Sequence, residues 1–131
     1  MNPSLLSKLL ELSTEAGEII MKFHKHSSDY STKDDTTPLT AADKASHEFL
    51  VNALEKLTPN IPILSEESSH IPFTVRQSWN EYWLIDPLDG TRDFIDGSPD
   101  FCISIAFIKQ NYPTFGLIYS PFNKVHYYRL A

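Results

Sequence analysis

One cysteine and four glycines are all that stand in these 131 residues. A single thiol excludes an internal disulfide. Cys102 sits in the apolar run Phe101-Cys102-Ile103-Ser104-Ile105, so it reads as a packing residue. The lack of disulfides fits a reducing compartment. The chain has no G-x-G-x-x-G dinucleotide turn, no G-x-x-x-x-G-K-[ST] phosphate loop and no G-x-S-x-G elbow. Positive charge is also scarce: 11 Lys and Arg stand against 17 Asp and Glu, for a net charge of −6. That balance argues against a nucleic-acid polymer as partner. It leaves room for a small phosphorylated substrate, because metal ions can supply the missing charge. No apolar run approaches the ~20 residues that span a bilayer, and no basic segment precedes an apolar block at the N-terminus. Neither a membrane span nor a secretory signal is expected, and the expected location is cytoplasmic.

What is present suffices for one folded domain: 41% of the residues are hydrophobic and 21% charged. Leu5, Leu9, Leu12, Ala16, Ile19, Ile20 and Phe23 recur at helical spacing behind Asn2-Pro3, which predicts a helix from residue 3 to about 25. His24 and His26 fall at its end, where favourable helix-terminal charge is a simpler reading than metal binding. A polar loop covers 27–39. A second helix follows, with Ala42, Ala45, Phe49, Leu50, Ala53, Leu54 and Leu57 as its apolar stripe and Thr40 as its expected N-cap. Then come five short extended runs, at 61–64, 82–86, 101–108, 114–120 and 124–130. Turn-like connectors join the last three into an antiparallel meander. Residues 67–81 read as a polar connector. The fold class is therefore α+β, two N-terminal helices packed on a mostly antiparallel sheet.

The acids are the informative residues. Asp43 opens the second helix, Glu66 and Glu67 follow one strand, and Asp86 and Asp89 follow another. Strand ends and helix starts can converge on one sheet edge, and a hard divalent cation such as Mg²⁺ needs carboxylate oxygens of this kind. If Thr91 opens a short helix, the amides of Gly90 and Thr91 are free for phosphate and the Thr91 hydroxyl can orient a water. Together these are the parts of metal-assisted phosphate-ester hydrolysis. Each piece also has a plain reading. Asp43, three residues after Thr40, resembles a capping box. Glu66-Glu67 can be a solvated pair, and Asp86-Pro87 and Asp89-Gly90 are common turn dipeptides. Asp93 and Asp96 suit helix-dipole and turn roles.

Asp86-Pro87-Leu88-Asp89-Gly90-Thr91 resembles the D-P-[IL]-D-G-T signature of the inositol monophosphatase superfamily. Pro38-Leu39-Thr40-Ala41-Ala42-Asp43 is similar to its P-[VL]-T-x-A-D segment, and Ser65-Glu66-Glu67 to its G/S-E-E segment. The resemblance covers essentially the whole chain. The runs Ile63 to Glu67, Arg92-Asp93-Phe94-Ile95 and Gly116 to Pro121 are most like the 3′(2′),5′-bisphosphate nucleotidases of sulfur assimilation; Phe101 to Phe107 looks more like the inositol phosphatases.

The resemblance implies Mg²⁺-dependent hydrolysis, with adenosine 3′,5′-bisphosphate going to AMP and phosphate, or else with inositol 1-phosphate as substrate. It implies that Glu66, Asp86 and the Leu88 carbonyl hold one Mg²⁺, and that Asp86 and Asp89 share a second. Glu66, counted with Asp43 and Thr91 as catalytic, can also face a third, looser ion. Thr91, supported by Asp43, would help activate the attacking water, and Gly90 and Thr91 would bind the phosphate. Lys33 and Asp35 are weaker active-site neighbours. Members of the superfamily run to roughly twice these 131 residues and carry a later W-D-x-A-A-G segment, which is missing here. The chain is thus expected to form a single N-terminal metal-binding domain over 1–131, the N-terminal half of the sugar-phosphatase αβαβα fold, without the C-terminal substrate domain. Weak or no activity alone is then expected, with a homodimer or a C-terminal-half partner covering the exposed surface. The rival expectation is a non-catalytic module for metal binding or assembly.

Overall fold

The computed structural model describes residues 1–24, 37–68 and 71–130. Helix α1 spans Pro3–His24 and α2 Pro38–Leu57. They are followed by β1 (Ile63–Ser65), α3 (Phe73–Arg76), β2 (Glu81–Asp89), α4 (Thr91–Asp96), β3 (Cys102–Lys109), β4 (Tyr112–Ser120) and β5 (Val125–Leu130). The five strands form one sheet in sequence order. β2 to β5 pair antiparallel as a meander, while β1 pairs parallel to β2. The α+β class read from the sequence is what the chain adopts.

Local chemistry sets the element ends. Asn2 caps α1, its side chain accepting from the Leu5 amide at 2.7 Å. The cap of α2 is Thr37, not Thr40: the Thr37 hydroxyl accepts from the Thr40 amide at 3.0 Å, and Pro38 takes the first helical position. Asp43 therefore lies beyond the first turn, and the capping-box reading of it fails. The β3–β4 hairpin turns on Gln110 and Asn111, both with positive φ, the geometry of a tight two-residue loop.

The core lies between the helices and one face of the sheet. Leu9, Ala16 and Ile20 of α1 and Ala42, Leu50 and Leu54 of α2 are fully buried against Trp83, Ile85, Ile103, Ile105 and Leu117. Trp83 anchors this layer: its indole N–H donates to Thr58 Oγ1 at 2.9 Å and its ring packs on Phe107. α1 approaches β4 closely at Gly17, where an added Cβ would collide with the Tyr119 ring. At the end of α1 the His24 ring packs against Phe94, Phe101 and Phe122, and burial lowers its pKa. The neutral ring is favoured there, so His24 packs rather than supplying helix-terminal charge. His26 lies outside the described residues.

Among the described residues, no helix is long and apolar enough to cross a membrane.

Candidate metal and phosphate site

The parallel pairing of β1 with β2 brings the first acids together. Ser65 pairs with Ile85, which sets Glu66, just past the end of β1, beside Asp86 of β2, and the Glu66 amide donates to the Ile85 carbonyl at 3.1 Å. Outward ends of parallel strands are where ligands collect in mixed sheets.

A β-bulge then adds Asp89. Asp86 pairs with Ser104 and Asp89 with Cys102, so β2 carries one residue more than β3 across this interval. In a regular strand, residues three apart face opposite sides. The extra residue re-aims the strand, and Asp86 and Asp89 line the same cleft with Glu66. Pro87 suits the bulge because it has no amide to offer the ladder. Asp86 also accepts from the Leu88 amide at 3.2 Å, which tightens the turn. The Leu88 side chain is buried, so its backbone is what it can present to a ligand.

Gly90 ends the bulge in the left-handed region, at φ 87°, and a Cβ added there would stand 3.1 Å from both the Asp100 carbonyl oxygen and Phe101 Cα. A side chain would be strained on both counts. Its carbonyl accepts from the Phe94 amide, which starts α4 with Thr91 exposed at the first position. The short helix expected from Thr91 is present.

Asp43 enters from α2. Its Oδ1 is buried without a hydrogen-bond partner. Burial raises its pKa to about 7, and the Glu67 carboxyl within hydrogen-bonding reach adds to this, as do the charges of Asp86 and Glu66. Asp86 is also raised, by burial first; the Leu88 amide pulls the other way, and Asp89, Glu66 and Glu67 push it up again. Glu66 and Glu67 thus serve different sides. Glu66 lines the cleft with Asp86 and Asp89, and Glu67 lines a second depression with Asp43, Thr40 and His47.

Four predicted acids, Asp43, Glu66, Asp86 and Asp89, are therefore electrostatic neighbours, and Gly90 and Thr91 follow directly. Lys33 and Asp35 lie outside the described residues. Sequence reasoning misses Glu67 as a partner of Asp43. It also misses Ser46 and His47, which sit three and four positions beyond Asp43 on α2; that spacing is the available signal.

The donors suit a hard divalent cation: all are oxygens, they repel one another, and Asp43 Oδ1 has no proton donor of its own. Among the described residues, no three His, Cys, Asp or Glu side chains converge tightly enough to enclose a metal ion by themselves. Water and phosphate oxygens would have to complete the shell.

A profile of the Inositol monophosphatase family matches residues 2–130. The chain belongs to the inositol monophosphatase family. Within that family it is 44% identical over 126 residues to the 3′(2′),5′-bisphosphate nucleotidase CysQ of Aggregatibacter actinomycetemcomitans, covering 96% of this chain and 47% of that protein. It is 43% identical to CysQ of Salmonella typhimurium, covering 95% of this chain and 51% of that one. The chain spans about half the length of the curated relatives it matches. The crystal structure of CysQ from Bacteroides thetaiotaomicron, a bacterial member of the family, superposes with a TM-score of 0.82 at 31% identity, over 99% of this chain and 46% of that one. An inositol-monophosphate-bound SaIMPase-II superposes at 0.73 with 27% identity, over 98% and 44%.

Proposed function

We propose that this chain is the metal-binding portion of a Mg²⁺-dependent phosphate monoesterase of the 3′(2′),5′-bisphosphate nucleotidase type, with adenosine 3′,5′-bisphosphate as substrate and AMP and phosphate as products. The observation that carries it is the convergence of Asp43, Glu66, Asp86 and Asp89 from α2, β1 and β2, with Asp43 and Asp86 raised in pKa by burial and by the neighbouring acids. A group of acids this costly is explained by a cation that neutralises it. The nucleotide is favoured over inositol phosphate by the curated CysQ nucleotidases, at 38–44% identity; among solved structures the margin is narrower, 31% to a CysQ against 27% to the inositol-monophosphate-bound SaIMPase-II.

Glu66, Asp86, the Leu88 carbonyl and Asp89 would hold the Mg²⁺. When bound, the ion supplies Lewis acidity at phosphorus and a more acidic water. Thr91 orients the attacking water through its hydroxyl, with Asp43 as the proton acceptor behind it. Gly90 and Thr91 face the phosphate with backbone that no side chain obstructs at Gly90. Residues 1–131 act as one N-terminal metal-binding domain in the cytoplasm, and the substrate wall would come from a C-terminal half.

The test is phosphate release from adenosine 3′,5′-bisphosphate and inositol 1-phosphate with Mg²⁺, with and without a separately expressed C-terminal half of a CysQ relative. Turnover of the nucleotide in the reassembled form is expected. No turnover of either substrate in a verified complex would refute the proposal. The second reading, a non-catalytic module, draws on the loose spacing of the acids among the described residues; Mg²⁺ uptake without turnover would favour it.

A further inference from the structure

We infer that α2 acts as a jig for the two acid-bearing strand ends, with His47 the positioning residue for the Glu66–Glu67 turn and Ser46 the positioning residue for the Asp86–Asp89 bulge. The inference rests on the metal site proposed above.

Asp43, Ser46 and His47 lie on one face of α2, at spacings of three and four. Ser46 is fully buried, and its hydroxyl donates to the Pro87 carbonyl at 2.8 Å. Pro87 stands between Asp86 and Asp89, so this bond ties the bulge to α2. The next residue ties the other strand: His47 Nδ1 lies 2.9 Å from Ser65 Oγ. Ser65 is buried, and its Oγ accepts from the Glu67 amide at 3.3 Å. The turn is closed further by the Ser68 amide on the Ser65 carbonyl and by the Ser65 amide on Ser68 Oγ.

A hydroxyl has one proton to give. Among the described contacts of Ser65 Oγ, the Glu67 amide is a donor; in the tautomer with Nδ1 unprotonated, Nδ1 accepts the hydroxyl proton. His47 thereby orients the Ser65 hydroxyl, and the hydroxyl holds the Glu67 backbone beside Glu66. Two adjacent residues of one helix thus set the separation of the two carboxylate-bearing segments. Residues that orient ligands in this way change metal affinity about 10- to 100-fold when removed. A purely structural hydrogen bond would change stability and leave affinity alone.

The experiment is Mn²⁺ binding followed by electron paramagnetic resonance, together with hydrogen exchange of the Glu67 amide in the metal-free chain. The variants are His47→Ala, His47→Asn and Ser46→Ala, with near-UV circular dichroism to verify the fold. His47→Ala is expected to weaken Mn²⁺ binding about tenfold and to speed Glu67 exchange. His47→Asn, whose Oδ1 falls near the Nδ1 position, should restore both. Ser46→Ala should weaken Mn²⁺ binding and leave Glu67 exchange unchanged. If His47→Ala does not fold, a His47→Gln variant replaces it, because its acceptor sits one bond too far out. Wild-type affinity in His47→Ala, or an Asn variant no better than the Ala or Gln variant, overturns the inference and leaves the proposed function standing. A wild-type chain that takes up no Mn²⁺ overturns the proposed metal site and this inference with it.

Discussion

The two faces of the sheet are built from the same strands and differ residue by residue. Trp83, Ile85, Ile105 and Leu117 are at most 1% exposed under α1 and α2. One position along, Leu84 is 38% and Ile118 47% exposed, and Tyr127, paired with Ile118 on β5, is 63% exposed. Between Leu84, Ala106, Gly116, Ile118 and Tyr127 runs a cleft of about 640 Å³ that ends at Glu66, Asp86 and Asp89. Strands apolar on both faces belong to sheets covered on both faces. The covered face is where the fold gains its stability, and the open face leads to the acids.

That contrast can be broken most severely on the covered face. Trp83→Ala removes an indole packed on Phe107 and its bond to Thr58, and should cost about 3–5 kcal/mol in urea unfolding. At the end of the open face, Asp86→Asn should weaken Mg²⁺ binding by at least about tenfold in calorimetry, while the metal-free melting temperature stays level or rises. The Asn has no charge to be penalised by burial or by its acidic neighbours.

Asp43 sharpens the contrast through pH. Its folded pKa of about 7 stands above the ordinary 3.8, so the folded chain binds more protons between those values. Its contribution to stability is full below about pH 4 and is lost as pH rises through 7. The metal-free melting temperature should fall over that range, and Asp43→Asn should flatten the fall in a thermal scan. The smallest effect is expected at the centre of the open face. Ile118→Lys, at a half-exposed position, should change the free energy of urea unfolding by less than about 0.5 kcal/mol.

Helical and strand periodicity makes most elements legible, because burial of one face imposes it on the sequence. Both helices and the four-strand antiparallel run fall within a few residues of their expected places. The parallel pairing of β1 is not legible, since nothing local distinguishes a parallel neighbour. The bulge at Pro87 escapes for a related reason: it is defined by register against Ser104 and Cys102, which one strand's sequence does not record. The shift of the α2 cap to Thr37 follows from Pro38, whose fixed φ suits the first helical position better than Thr40 suits the cap. The acids of the site are legible as types at strand ends. What holds them is not: Ser46 and His47 act on Pro87 and Ser65 across 41 and 18 residues of chain.

The central claim, that the acids at the end of the open face form a divalent-cation site, is tested most directly by calorimetric titration of Mg²⁺ into the chain at about pH 8 and about pH 5.5. Saturable uptake at the higher pH is expected, with weaker uptake at the lower, where protons compete with the cation for Asp86, raised by burial, and neutralise Asp43 beside it. No saturable uptake at the higher pH, or equal affinity at both, would contradict it.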